Sequence, residues 1–348
     1  MQKTIFVVDD NDINLTVARE ALKKQYRVMP LPSAVKMFTL IEKVIPDLIL
    51  LDIEMPEMDG FEALHRLKDN TSLAEIPVIF LTSMTDASVE VQGFQLGVVD
   101  FIAKPFSVPV LLNRIKTHLD IDDIIRERTA KLQRLQSSLV FVLADMVENR
   151  DHGTGGHVER TAAYIKILLE AMREQEVYLD KICNIDAELF ISSARLHDVG
   201  KIAVSDIILN KPDKLTEEEF GRMKAHTTEG ERIIDQIVSR TGEGETFLQN
   251  AKLFAGYHHE RWDGKGYPFG LAGTNIPIQG RLMAFADVYD ALISERPYKK
   301  PLTHDDVVEI IMEGAGGQFD PLLAEVFYKV QDQFKAVQQQ HLTQNKES

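Results

Sequence analysis

Along the first 120 residues the apolar positions fall into short unbroken runs, separated by stretches with helical spacing. Ile5–Val8, Asp47–Leu51 and Val78–Leu81 are such runs, each ending at polar residues, and weaker ones lie near Tyr26–Pro30 and Val98–Ile102. Apolar runs without alternation belong to a parallel sheet covered on both faces. Helical patterns lie between them, as from Asn14 to Lys24 and from Phe61 to Lys68. The βα alternation predicts a doubly wound α/β domain over residues 1–120, with a five-stranded parallel sheet and its site at the carboxyl ends of the strands. Asp9, Asp10, Asp52 and Thr82 fall at those ends, and Lys104 follows the last strand.

From Ile121 to Glu148 there is no strong helix breaker, and Leu132, Leu135, Leu139, Val142 and Met146 step by three and four. That is a heptad seam, flanked by Arg126, Glu127, Arg128, Lys131 and Arg134. Residues 121–150 read either as a linker helix packed on its own domain or as half of a parallel coiled coil between two copies, a homodimer. Residues 151–335 read as an all-α domain with long loops. The expected helices are His157–Glu174, Asp186–His197, Thr216–His226, Glu229–Val238, Phe247–His258, Ile278–Leu292, Thr303–Glu313 and Pro321–Phe334. Thr216 with Glu219 has capping-box spacing. The loop from Glu260 to Pro277 is rich in Gly and Pro, and the polar tail 336–348 is expected to fray.

Composition narrows the function. The single cysteine, Cys183, rules out an intramolecular disulfide and fits a reducing cytoplasm. No apolar run has the length of a membrane span, and Ile5–Val8 already reads as a strand rather than a signal peptide. The formal charge of −15 argues against DNA or RNA binding over an extended surface. A phosphate ester would have to be met by a few local Lys and Arg residues or by metal ions.

A phosphoryl-accepting aspartate needs a rigid strand end and a nearby hard cation with oxygen ligands. Asp9 and Asp10 offer the cation site, Asp52 the nucleophile, and Thr82 and Lys104 a hydroxyl and an ammonium for the phosphoryl oxygens. These residues, with Met55-Pro56-Glu57-Met58-Asp59-Gly60, Leu81-Thr82-Ser83 and Lys104-Pro105-Phe106, resemble a response-regulator receiver domain over about residues 1–120. The resemblance implies phosphorylation of Asp52 by a histidine kinase and Mg²⁺ on Asp10, Asp52 and the Glu54 carbonyl. It also implies a switch pair of Thr82 and Phe101, and a cis Lys104–Pro105 bond.

The chain has ten histidines. His65, His118 and His341 have no evident partners and read as solvated or helix-surface residues, and His304 reads as part of a helix start without a metal role. Five others, His157, His197, His226, His258 and His259, accompany Asp198 and Asp287 in the helical half. That concentration of imidazole and carboxylate is hard to explain as packing. The motifs Leu196-His197-Asp198-Val199-Gly200-Lys201, Met223-Lys224-Ala225-His226, His258-His259-Glu260-Arg261-Trp262-Asp263-Gly264-Lys265-Gly266-Tyr267-Pro268, Ala286-Asp287-Val288-Tyr289-Asp290 and Arg296-Pro297-Tyr298-Lys299 resemble the HD-GYP branch of the HD metal-dependent phosphohydrolases. The resemblance covers about residues 150–330.

It implies one metal on His157, His197, Asp198 and Asp287 and a second on Asp198, His226, His258 and His259, with Asp198 bridging. Iron or manganese is the family's usual metal, with nickel or cobalt in preparations. The family's substrate is cyclic di-GMP, opened by a bridging hydroxide to linear pGpG and in some members on to GMP; other members open cyclic GMP-AMP. Lys201, one turn after Asp198, is expected to neutralise phosphoryl charge, and Arg296 and Lys299 to grip the second phosphate. Asp290 joins the substrate-binding set. Tyr267 reads equally as a base contact and as a docking point for a GGDEF-domain cyclase. The family often carries Glu where this chain has Gly153, so two metals rather than three are expected. The rival readings are a dinucleotide receptor or adaptor without turnover, and an HD hydrolase of other nucleotides.

Overall fold

The computed structural model describes residues 2–70, 72–83, 87–150, 156–241, 246–294 and 300–347. Two compact units divide the chain, Met1–Leu132 and Gln133–Ser348. The first alternates β1 (Thr4–Val8), α1 (Asp12–Leu22), β2 (Arg27–Leu31), α2 (Ala34–Ile41), β3 (Leu48–Asp52), α3 (Gly60–Asp69), β4 (Val78–Thr82), α4 (Ala87–Gln95) and β5 (Asp100–Ala103). The strands are parallel in the order β2-β1-β3-β4-β5. Successive residues of each central strand feed opposite cores. Phe6, Val8, Ile49, Leu51, Val78 and Phe80 face one side, and Ile5, Val7, Leu48, Leu50, Ile79 and Leu81 the other. This two-sided burial is why the runs show no polar alternation.

Helix α5 (Val108–Glu148) continues without a break through the expected linker. The second unit adds α6 (His157–Glu174), α7 (Leu179–Ile182), α8 (Ala187–Ala194), α9 (Asp206–Leu209), α10 (Glu217–Lys224), α11 (His226–Thr241), α12 (Thr246–Tyr257), α13 (Ile278–Ile293), α14 (His304–Glu313) and α15 (Pro321–Glu347). Its core is aromatic: Tyr164 of α6 stacks on Phe334 of α15 at 4.5 Å, and Tyr289 of α13 meets both edge-on. Thr216 and Glu219 form the expected capping box at α10.

Two details differ from the sequence reading. The expected helix Asp186–His197 ends at Ala194, and a 3₁₀ turn, Val199–Ala203, carries Lys201. The tail expected to fray from residue 336 is helical to Glu347. The segment between α6 and α8 has a structural use. The Tyr178 hydroxyl donates to Asp320 Oδ2 at 2.9 Å, the same oxygen accepts from Arg281 at 2.8 Å, and the guanidinium lies over the Tyr178 ring. The segment thus closes over a buried ion pair. Among the described residues no helix is long and apolar enough to cross a membrane.

Candidate active site

The carboxyl ends of β1 and β3 bring together the acidic group of the first unit. Oxygens of Asp9, Asp10 and Asp52 all lie within 4.8 Å of one another. Lys104 reaches across from the end of β5, with Nζ 2.8 Å from Asp9 and 2.6 Å from Asp52. Burial works against a charged Lys104, but the two carboxylates outweigh it and raise the ammonium above its ordinary range. Three clustered carboxylates beside one ammonium leave net negative charge that suits a hard divalent cation. Asp52 and Thr82 are buried at adjacent strand ends, and Glu54 lies beyond β3, where its carboxylate accepts from Ser83. Phe101 points inward, edge-on to Phe80 and Phe94, over the bare Cα of Gly93. The Lys104–Pro105 bond is cis.

In the second unit four helix ends, the middle of α13 and one turn converge. His157 opens α6, His226 opens α11, His258 and His259 follow α12, Asp287 lies on α13, and His197 and Asp198 link α8 to the 3₁₀ turn. The nitrogens of His226, His258 and His259 form one cluster; His157, His197 and Asp198 form another. Asp198 lies between the two. Its Oδ2 is 3.4 Å from His197 Nε2, and its Oδ1 is 3.5 Å from His226 Nε2 and 3.7 Å from His258 Nε2. Asp287 Oδ1 is 3.7 Å from His157 Nε2. Lys201 Nζ approaches Asp198 Oδ2 at 2.8 Å.

Backbone carbonyls fix the tautomers. His226 Nδ1 donates to Met223 O, and His258 Nδ1 to the carbonyls of Phe254 and Ala255. A carbonyl can only accept, so each Nε2 turns a lone pair inward. These two lone pairs face each other at 3.2 Å. Burial holds His258 down to about 3 and lowers His226 as well, so no shared proton relieves them. Asp198 Oδ1 is buried and has no hydrogen-bond partner among the described residues. Burial opposes its charge, yet Lys201 and the imidazoles hold its carboxyl well below the usual range. Opposed lone pairs and an orphaned anionic oxygen at one place fit bound divalent cations.

The family profile described as HD domain matches residues 142–323, and the profile described as response regulator receiver domain matches residues 5–116. A protein of Vibrio cholerae serotype O1 named probable cyclic di-GMP phosphodiesterase is 38% identical over 340 residues, 94% of this chain and 77% of its own length. The cyclic di-GMP phosphodiesterase response regulator RpfG of Xanthomonas campestris pv. campestris is 33% identical over 96% of this chain and 89% of its own. A 3′3′-cGAMP-specific phosphodiesterase of Vibrio cholerae is 39% identical over 59% of this chain and 37% of its own. The chain is an HD-domain response regulator. It belongs to a family of metal-dependent phosphodiesterases, and its HD domain holds divalent metal.

One residue expected to bind substrate does something else in the HD domain. Asp290 is only 2% exposed. It accepts from His157 Nδ1 at 2.9 Å and from Arg160 at 2.6 and 2.9 Å. Burial opposes its charge, but these donors bring its carboxyl down to about 2. Asp290 therefore holds the His157 imidazole from behind instead of lining the cleft. Arg296, Lys299 and Gly153 lie outside the described residues. The three histidines read as solvated all have carboxylate neighbours: His65 meets Asp69, His118 meets Asp100, and His341 is tucked against Gly156 beside Glu159.

Beside the histidine–aspartate group opens a cleft of about 280 Å³, lined among others by Phe220, Lys224, His259, Tyr267, Asp287 and Gln318. Tyr267 lies 4.7 Å from the His259 ring, and Lys224 Nζ sits over the Phe220 ring at 4.6 Å and the Tyr267 ring at 5.3 Å. Phe220 and Lys224 were not singled out from the sequence. Their i, i+4 spacing on a helix ending just before His226 was the available signal. Glu260 was also missed as a contributor. Buried, it accepts from the amides of Phe269, Gly270 and Leu271 at 2.7–3.1 Å and closes the loop that carries Tyr267. Glu260→Gln turns an amide donor towards these donors and should cost about 1–3 kcal/mol, read as a fall in the Tm of the HD domain.

Proposed function

We propose that the HD domain opens cyclic di-GMP to linear pGpG, and that phosphorylation of Asp52 by a histidine kinase controls it. The observation that carries the catalytic part is Asp198, one carboxylate with an oxygen toward each of two imidazole clusters and an ammonium on its flank. The mixed nitrogen and oxygen donors suit iron or manganese, and admit nickel or cobalt. Two such cations would supply an ionised water at neutral pH and a clamp on the phosphoryl oxygens. The protein's own groups do the rest. Lys201 stands where negative charge grows on the phosphoryl group. Asp290 and the backbone carbonyls hold the imidazoles in their ligating tautomers. Tyr267 and Phe220 offer aromatic faces to a base, and Lys224 between them a charge for a phosphate.

The names of the two long relatives support cyclic di-GMP as the substrate. The similarity to the cGAMP-specific enzyme supports cyclic GMP-AMP as the second reading. In the receiver the acidic cluster and Lys104 support Mg²⁺-dependent phosphorylation of Asp52, with Thr82 and Phe101 responding. The seam on α5 supports a second copy as partner, since Leu132, Leu135, Leu139, Val142 and Met146 are each about half or more exposed.

Full-length protein loaded with Mn²⁺ or Fe²⁺ is expected to convert cyclic di-GMP to pGpG, and the ratio of kcat/KM to that for cyclic GMP-AMP decides between the two substrates. Turnover of neither by protein holding two cations would favour a dinucleotide receptor. A small phosphodonor should change the rate, and Asp52→Asn should remove that change.

A further inference from the structure

The last turn of α5 and the residues just after it touch the metal-binding group at two places. The N-cap of α6 is Gly156, in a left-handed conformation and with no side chain to cap the helix. The capping is done from outside. Glu148, the final residue of α5, accepts from the amide of His157 through Oε1 and from the amide of Val158 through Oε2, both at 3.1 Å. A carboxylate there also complements the positive end of α6. His157 is held along its backbone by Glu148 and through its ring by Asp290.

Arg150, two residues on, grips the other side. One guanidinium nitrogen donates to the carbonyls of Lys201 and Ile202 at 3.4 and 3.1 Å. The other donates to the Val204 carbonyl at 3.2 Å and to Asp206 Oδ1 at 2.7 Å. These carbonyls lie at the end of the 3₁₀ turn and just beyond it, where the Lys201 carbonyl also accepts from the Val204 amide at 3.0 Å. The planar fork of Arg fits several acceptors at once, as a Lys ammonium does not.

We propose that Glu148 and Arg150 are positioning residues, Glu148 for the metal ligand His157 and Arg150 for the turn that places Lys201 beside Asp198. The end of α5 then sets two parts of the site separately: one cation's binding through Glu148, and charge stabilisation in the transition state through Arg150. The proposal rests on the reading of the histidine–aspartate group as a metal site, but not on the identity of the dinucleotide.

The test measures metal affinity on the full chain by titration with Mn²⁺, without substrate, and then steady-state kinetics. Glu148→Gln is expected to weaken one of two cations about tenfold or more and leave the other at parental affinity, with activity recovering in excess metal. Glu148→Asp keeps the charge but shortens the reach, and should show the same selective loss if the Gln variant does not fold. Arg150→Lys should keep both cations and KM while lowering kcat about tenfold, because its effect runs through a group that acts in the transition state. The proposal is overturned if the variants bind two cations as the parent does with parental kcat. It is equally overturned if both variants lose the two cations in parallel with Tm, which would mark general support of the fold.

Discussion

Asp198→Asn should lower kcat/KM by at least about a thousandfold and, in the same protein, abolish the thermal stabilisation that metal gives the parent. The substitution keeps the shape of the side chain and removes its charge. Oδ1 is buried without a hydrogen bond among the described residues, and Oδ2 faces His197 and Lys201. A carboxamide in this place offers one oxygen and one donor, so it cannot serve both clusters. In metal-free protein the effect on stability has two opposing parts. Loss of the Lys201 contact destabilises, while removal of a buried anion relieves its desolvation. Metal-free Tm should therefore move little. Metal at about 100 times its Kd stabilises a binding-competent fold by about 2.7 kcal/mol, several degrees of Tm for a domain of this size. Scanning calorimetry of parent and variant, with and without Mn²⁺, separates these effects. A variant that keeps the metal-dependent shift and parental turnover would show that Asp198 is not shared between two cations.

The same residue shows what was legible beforehand. The strand ends were readable because full burial on both sheet faces leaves uninterrupted apolar runs; β1, β3 and β4 start and stop within one residue of their expected limits. The edge strand β2 was weaker, since it buries only Leu31 well. Helices α2 and α4 fall among the helical patterns expected between the strands, without limits of their own. In the second unit His157, His197, Asp198, His226, His258, His259 and Asp287 converge, and residue type with motif order was enough to gather them. What the sequence could not supply was direction. Asp290 lies three residues from Asp287 on α13, yet it faces Arg160 behind His157 and not the cleft. Lys201 lies on a 3₁₀ turn, not the α-helical turn its spacing suggested. Glu148, Arg150 and Glu260 act on backbone amides and carbonyls, and no residue-type pattern marks a partner that is main chain. His341 read as a solvated or helix-surface residue because no partner was evident, while α15 carries it back onto Gly156.

Gly200→Ala should destabilise the HD domain by about 3 kcal/mol or more and weaken metal binding, whereas Gly221→Ala should stabilise it by about 0.5–1 kcal/mol. Both glycines have backbone conformations open to alanine, so the difference is one of space. A Cβ on Gly200 would stand 1.8 Å from the His226 carbonyl oxygen and 2.5 Å from the Gly230 amide nitrogen. Both obstacles are main chain and cannot rotate aside, so the 3₁₀ turn and the start of α11 must separate. That separation moves Lys201 and Asp198 on one element away from His226 on the other. The 3.5 Å approach of His226 Nε2 to Asp198 and its 3.2 Å approach to His258 are both lost. The exposed Gly221, inside α10, has nothing within 4 Å of its absent Cβ, so alanine there reduces only the freedom of the unfolded chain. Denaturant unfolding of the metal-free variants measures the two signs directly, and Mn²⁺ titration shows whether the cost at Gly200 reaches the site. A Gly200→Ala protein with parental stability and metal affinity would mean that the turn and α11 are not locked together, and that the geometry of Asp198 depends on something other than this contact.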